Sequence, residues 1–170
     1  MDVQNLYHSA KHLYQGGRVN FKEVLRAALA GRKLIRALAY VVRTETAEEQ
    51  AFFEALTKSG IELKVKDLQV FPGGMKKGDW DVGVAVDAIR LAPALDAVVL
   101  VSGDGDYIPL IEYLKNSAGV QVEVIAFGRS ASGRMREIAD DFIDLGAEPD
   151  KFIIPAKTKS YTSRIFKIGT

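Results

Sequence analysis

Apolar positions recur along this chain at two different spacings, and the spacing changes about every ten residues. Residues 5 to 15 and 20 to 30 repeat at the interval of one helix face, with Asn20 standing as a cap ahead of "FKEVLRAAL". "KLIRALAYVV" (33 to 42) reads as the first clear strand, and "TAEEQAFFEALTKSG" as a capped helix that stops at Gly60. A strand in "IELKVKDLQVF", a loop in "PGGMKKGDW" and a helix from about Asp81 to Ala92 come next. The strand "DAVVLV", a helix over about 107 to 116, the strand "VQVEVIAF", a short helix near 131 to 138 and a last strand "FIDL" complete the series. Near-continuous apolar strands alternating with helices predict an α/β fold: a mostly parallel central sheet with helices on both faces.

With 170 residues, 48% of them apolar, the chain is the size of one soluble globular domain. No stretch approaches the roughly 20 uncharged apolar residues of a spanning helix, and "MDVQNLYHSAKH" lacks the apolar core of a secretion signal. No membrane partner is expected, and the cytoplasm is the expected location. The chain has no cysteine, so any metal must take oxygen or imidazole ligands. Net charge is +1 but uneven: residues 151 to 170 carry Lys151, Lys157, Lys159, Arg164 and Lys167 and no acid, against 18 basic and 22 acidic residues before them. A domain over 1–148 followed by a basic tail over 149–170 fits this split. The tail suits either contact with phosphate backbones or simple solubility.

The most distinctive stretch is "VVLVSGDGDYIPLIEYL", residues 98 to 114. In parallel sheets function gathers at the carboxyl ends of the strands near the topological switch point, which is where Ser102 to Asp106 fall. Asp106 can cap the next helix and Asp104 can close an Asx turn. Two carboxylates side by side nevertheless repel unless they share a cation or a proton. A second acid comes from "KKGDWDVGVAVDAIRLA". At about 100° per residue, Asp81 falls within the apolar arc of Val82, Val84, Ala85, Val86, Ala88, Ile89, Leu91 and Ala92, while Asp87 and Arg90 fall opposite. A carboxylate facing the sheet is costly without a partner, so Asp81 reads as a site residue and Asp87 as a solvated partner of Arg90. A third acid, Asp2, precedes the first helical segment, with Asn5 three residues later.

These three places resemble the NYN domain family, in the LabA-like branch of the PIN-like ribonuclease superfamily. The resemblance rests on a D-x-x-N-L start (Asp2, Asn5, Leu6), a K-G…D-V…D helix (Lys77, Gly78, Asp81, Val82, Asp87) and the block "SGDGDYIPL" (Ser102 to Leu110). It implies a Rossmann-like PIN fold whose acids bind Mg2+ or Mn2+ and cleave RNA. Family members carry a full apolar strand ahead of the first Asp. This chain has only Met1 there, so either the natural protein begins earlier or the domain has a truncated first strand, and without that strand Asp2 is expected to sit on a frayed terminus.

On this reading Asp2, Asp81, Asp104 and Asp106 are the metal ligands and catalytic acids of a metal-dependent endoribonuclease. Asn5 and Ser102 orient them or touch phosphate, and Lys77, Arg129, Arg134 and Arg136 hold the backbone of a single-stranded RNA. Gly128 and Ser130, after another strand end, are weaker candidates as backbone donors to phosphate. His8 and His12 lie one turn apart with no third ligand at motif spacing, and read as a surface pair. A phosphatase with an aspartyl nucleophile also places D-x-D after an apolar strand, but it wants Thr or Ser soon after, where this chain has Tyr107, Ile108 and Pro109. The alternative is a non-catalytic regulator that binds RNA or protein on the same fold. A homodimer is left open.

Overall fold

The computed structural model describes residues 1–44, 46–70 and 76–156, without the side chains of Ala47, Val70, Lys76 and Lys77. In chain order the elements are α1 (Val3–Leu13), β1 (Arg18–Val19), α2 (Phe21–Leu29), β2 (Leu38–Arg43), α3 (Ala47–Lys58), β3 (Glu62–Asp67), β4 (Gln69–Val70) and β5 (Lys76–Lys77). They continue with α4 (Asp81–Leu91), β6 (Ala97–Val101), α5 (Ile108–Asn116), β7 (Gln121–Ala126), α6 (Gly133–Ile138), β8 (Asp141–Asp144), α7 (Pro149–Phe152) and β9 (Ile153–Ile154). Short 3-10 turns cover Ala92–Ala94 and Gly105–Tyr107. Among the described residues no helix is long and apolar enough to cross a membrane.

The helix starts follow local chemistry. Asn20 accepts from the Glu23 amide and Thr46 from the Glu49 amide, each satisfying an orphan donor of a first turn. Asp2 accepts from the Asn5 amide in the same way, which starts α1 at Val3, two residues ahead of the expected helix.

All main strands run parallel, as the unbroken apolar segments predict. β2 pairs with β3, and β6, β7 and β8 pair in that order. Met1 and Asp2 lie between the two halves. Tyr40 N donates to Met1 O at 3.0 Å, Met1 N donates to Leu38 O at 2.8 Å, and Asp2 N donates to Val101 O at 2.9 Å. Asp2 therefore sits at the switch point where strand order reverses, and the frayed terminus expected from the sequence is not found. Behind Met1 the seam opens into a cavity of about 470 Å³, with Leu25, Ala28, Leu38, Val84, Ala97 and Val99 in its walls.

Alternate residues of each strand feed two cores. Ala39, Val41, Val101 and Ile125 join Leu6, Val24, Leu56 and Phe127 on one face, while Tyr40, Leu100, Val122 and Val124 join Val84, Ile111, Leu114 and Met135 on the other. Helices thus cover both sides. Three strands escaped the periodicity because they span only two residues each: β1 and β9, paired antiparallel, and β5, which pairs with β4 inside the stretch read as a loop. The first part of the stretch read as a basic tail, 149–156, carries α7 and β9, and Phe152 is buried in the first core. Lys157, Lys159, Arg164 and Lys167 lie outside the described residues.

An ion pair ties the turn after α2 to the sheet. Glu123 on β7 is buried, and Arg32 meets it with two hydrogen bonds, both at 2.7 Å. Removing the guanidinium leaves a buried carboxylate without its main partner, though Arg32 itself is 38% exposed and solvent softens the loss. Arg32→Ala is expected to lower unfolding free energy by about 1–3 kcal/mol in a urea titration. No change would mean that water replaces the guanidinium at Glu123.

Candidate active site

The carboxyl end of β6 hands the chain to Ser102, Gly103 and Asp104, and these residues build the site around the start of the chain. Ser102 is fully buried; its hydroxyl donates to Asp2 Oδ2 at 3.2 Å and accepts from the Asp104 amide at 3.2 Å. Asn5 Oδ1 accepts from the Gly103 amide at 3.0 Å. A single serine thus orients two acids whose positions in the chain differ by about a hundred residues, and Asn5 pins the loop between them. The sequence reading let Ser102 and Asn5 touch phosphate. Ser102 is buried beneath the loop, whereas Asn5 spends its carbonyl on Gly103 and keeps its amide NH2 as a donor.

Asp104 Oδ1 accepts from the Asp106 amide at 3.0 Å, closing an Asx turn that opens the 3-10 turn Gly105–Tyr107. Gly103 is tightly enclosed: a Cβ there would stand 3.0 Å from Ala131 Cα, so the neighbouring loop would have to give way. The loop after β7 packs that closely against the acidic loop, and Ser132 N donates to Gly103 O at 3.0 Å.

The third acid is placed by its neighbour. Trp80 donates its indole N–H to Val41 O at 2.9 Å and meets the Tyr40 ring edge-on at 5.4 Å, fixing the start of α4 against β2. Asp81 follows, facing inward as the helical wheel predicts. The rest of the wheel is rotated from expectation. Val82, Val86 and Ile89 are exposed, whereas Asp87 turns inward to accept from the Tyr40 hydroxyl at 3.0 Å, with Lys64 at 3.4 Å and Arg90 at 4.0 Å. Asp87 is therefore not simply a solvated partner of Arg90.

Asp81 Oδ1 accepts from the Tyr107 hydroxyl at 3.0 Å. Burial holds the Asp81 carboxyl above the ordinary carboxylate range; the Tyr107 hydrogen bond opposes this, and the charges of Asp2, Asp104 and Asp79 push the same way as burial. Tyr107 is 2% exposed, and its hydroxyl is raised first by burial and then by the charges of Asp2, Asp81 and Asp104. Acids from three separate segments thus act on one buried phenol. Tyr107 and Asp79 were not singled out from sequence; Tyr107 shares the helical spacing of Leu110 and Ile111 and passes for core, which it also is.

Asp106 lies at the rim, its side chain exposed. Arg129 is exposed on the turn after β7. Arg134 pairs with Glu137 at 3.2 Å and Glu112 at 3.9 Å on the surface, and Arg136 lies over the Phe142 ring at 4.4 Å with Asp144 at 3.7 Å. Both are engaged within the fold. The Gly128 amide is likewise occupied, donating to Asp144 Oδ1 at 2.8 Å. The Lys77 side chain lies outside the described residues.

An ionised Asp81 is held against its preference, first by burial and then by the like charges of Asp2, Asp104 and Asp79. Its stabilising contribution is full only below the ordinary carboxylate range and is lost as pH rises through its higher folded value. Near neutrality Asp81→Asn, which keeps an acceptor for Tyr107, is expected to raise the thermal midpoint of the protein in EDTA; a lower midpoint would show that the charge is better accommodated than its surroundings indicate.

The NYN domain pattern matches residues 1–146. The chain belongs to the NYN domain family. Its relatives include the low amplitude and bright protein LabA of Synechococcus elongatus, 24% identical over 119 residues, which cover 66% of this chain and 63% of LabA. The uncharacterised protein MJ0482 of Methanocaldococcus jannaschii is 34% identical over 97 residues, 56% of this chain and 36% of that protein. The chain thus spans less than two thirds of either curated relative. Among solved structures, the crystal structure of a protein of unknown function, VPA0982, from Vibrio parahaemolyticus matches with a TM-score of 0.81 and 31% identity, covering 89% of this chain and 91% of that one. The NYN match includes all three acids and the Ser102 loop.

Proposed function

We propose that this NYN domain is a metal-dependent endoribonuclease that cuts single-stranded RNA at the acidic site. The observation that supports it most is the meeting of Asp2, Asp81 and Asp104 around Tyr107 at the sheet's switch point, with Ser102 bonded to two of them. Like charges gathered where solvent is partly excluded call for a cation.

The donor set suits Mg2+ or Mn2+. Its donors are oxygens, and hard dications prefer them. Among the described residues no three acidic or imidazole side chains stand close enough to ligate one ion together. Mg2+ keeps several waters and takes only one or two carboxylates directly. One or two of Asp2, Asp81 and Asp104 would hold the ion directly and the rest through its waters, with Asp106 exposed at the rim. The chemistry a bound ion supplies here is Lewis-acid polarisation of a phosphodiester and of the attacking water.

The chain's own residues do the rest. Ser102 orients the Asp2 carboxylate and holds the Asp104 backbone, the Asp106 amide orients the Asp104 carboxylate, Asn5 fixes the loop that carries Asp104, and Trp80 fixes the helix that carries Asp81. Arg129, exposed on the neighbouring turn, is placed to meet RNA phosphates, and Lys77 stands on β5 shortly before α4.

The test is cleavage of end-labelled single-stranded RNA by the purified chain with Mn2+, with EDTA, and with Asp104→Asn. Cleavage that needs Mn2+ and vanishes in the variant supports the nuclease. Tight RNA binding without cleavage would assign this fold to the non-catalytic regulator instead.

A further inference from the structure

Tyr107 closes the 3-10 turn that Asp104 opens, and its buried hydroxyl reaches across to Asp81 Oδ1 on α4 at 3.0 Å. One short segment therefore carries an acid and, three residues on, a donor that ties down a second acid from elsewhere. The consequence lies in which oxygens are left. Asp104 Oδ1 is taken by the Asp106 amide and Asp81 Oδ1 by Tyr107. Among the described residues no hydrogen bond reaches Oδ2 of either acid.

We infer that Tyr107 is a positioning residue that sets ion selectivity: by spending a lone pair of Asp81 Oδ1 and fixing the carboxylate's orientation, it leaves Oδ2 the stronger donor for an ion. This rests on the reading of Asp2, Asp81 and Asp104 as a metal site. Single oxygens suit a small ion of strict octahedral geometry that retains waters. They suit Ca2+ poorly, because Ca2+ collects six to eight oxygens and often takes both oxygens of one carboxylate. A phenol is well matched to the task, since it donates once and carries no charge to compete with the ion. Groups that orient a ligand in this way typically change affinity by about 10–100-fold when removed.

The test is calorimetric titration of the full chain with MnCl2 and, separately, CaCl2. Tyr107→Phe keeps the ring in its core position and removes the hydroxyl. It should weaken Mn2+ binding about tenfold and Ca2+ binding far less, so that the preference for Mn2+ shrinks. Asp81→Glu, which carries the carboxylate beyond the Tyr107 hydroxyl, should shrink the same ratio without touching Tyr107, and it decides the matter should Tyr107→Phe not fold. In an Asp81→Asn background, Tyr107→Phe should leave both affinities unchanged. Equal weakening of both ions, an unchanged ratio in Tyr107→Phe or Asp81→Glu, or a persistent Tyr107→Phe effect in the Asp81→Asn background would overturn the assignment and leave the metal site standing. A wild-type chain that binds neither ion would overturn both.

Discussion

Asp104→Asn should lower Mn2+-dependent RNA cleavage by about three orders of magnitude while the protein stays folded. Asparagine retains the Oδ1 that accepts from the Asp106 amide, so the turn leading into Tyr107 survives. What is lost is a negative charge and an anionic oxygen at the centre of the acid cluster. Loss of a ligand charge worth several kcal/mol to a transition state corresponds to that factor, since each 1.4 kcal/mol is about tenfold. Initial rates at saturating Mn2+, with the thermal midpoint as control, make the measurement. Activity within about tenfold of the wild type would remove Asp104 from the chemistry and leave it as a turn residue.

Phe127→Ala should cost about 3–5 kcal/mol of stability. Phe127 is 1% exposed, its ring packs on Tyr14 at 5.6 Å, and it belongs to the core cluster beneath α1. In a chain of this size such a loss lowers the thermal midpoint by about 10 °C. The site should feel it as well. Phe127 O accepts from the amides of Ser130 and Ala131, and the same turn lies against Gly103. A ring-sized void therefore loosens the wall of the acidic loop. Calorimetry would read the midpoint, and a shift below about 3 °C would mean that the core closes over the gap with little strain.

The alternation of strands and helices was plain in the sequence because the central strands β2, β6 and β7 carry buried apolar runs and the helices have apolar faces. The D-x-D block was plain for a different reason: two acids beside glycine after an apolar strand have little purpose in a core. Asp81 was legible from angle alone. The helical wheel gives angles between residues but not the direction in which the sheet lies, and it is Trp80, bonded to Val41 O, that sets the rotation of α4. That is why Val82, Val86 and Ile89 point outward and Asp87 turns toward Tyr40. Tyr107 was hidden because a buried aromatic ring and a hydrogen-bond donor look identical in an apolar pattern. Asp2 was misjudged because its support comes from Leu38, Tyr40 and Val101, residues that no local reading connects with it.

Met1 and Asp2 have a mechanical consequence. Two residues rivet the halves of the sheet together, and one of them carries an acid of the cluster. Displacing this short segment would therefore open the joint and scatter the acids in a single event.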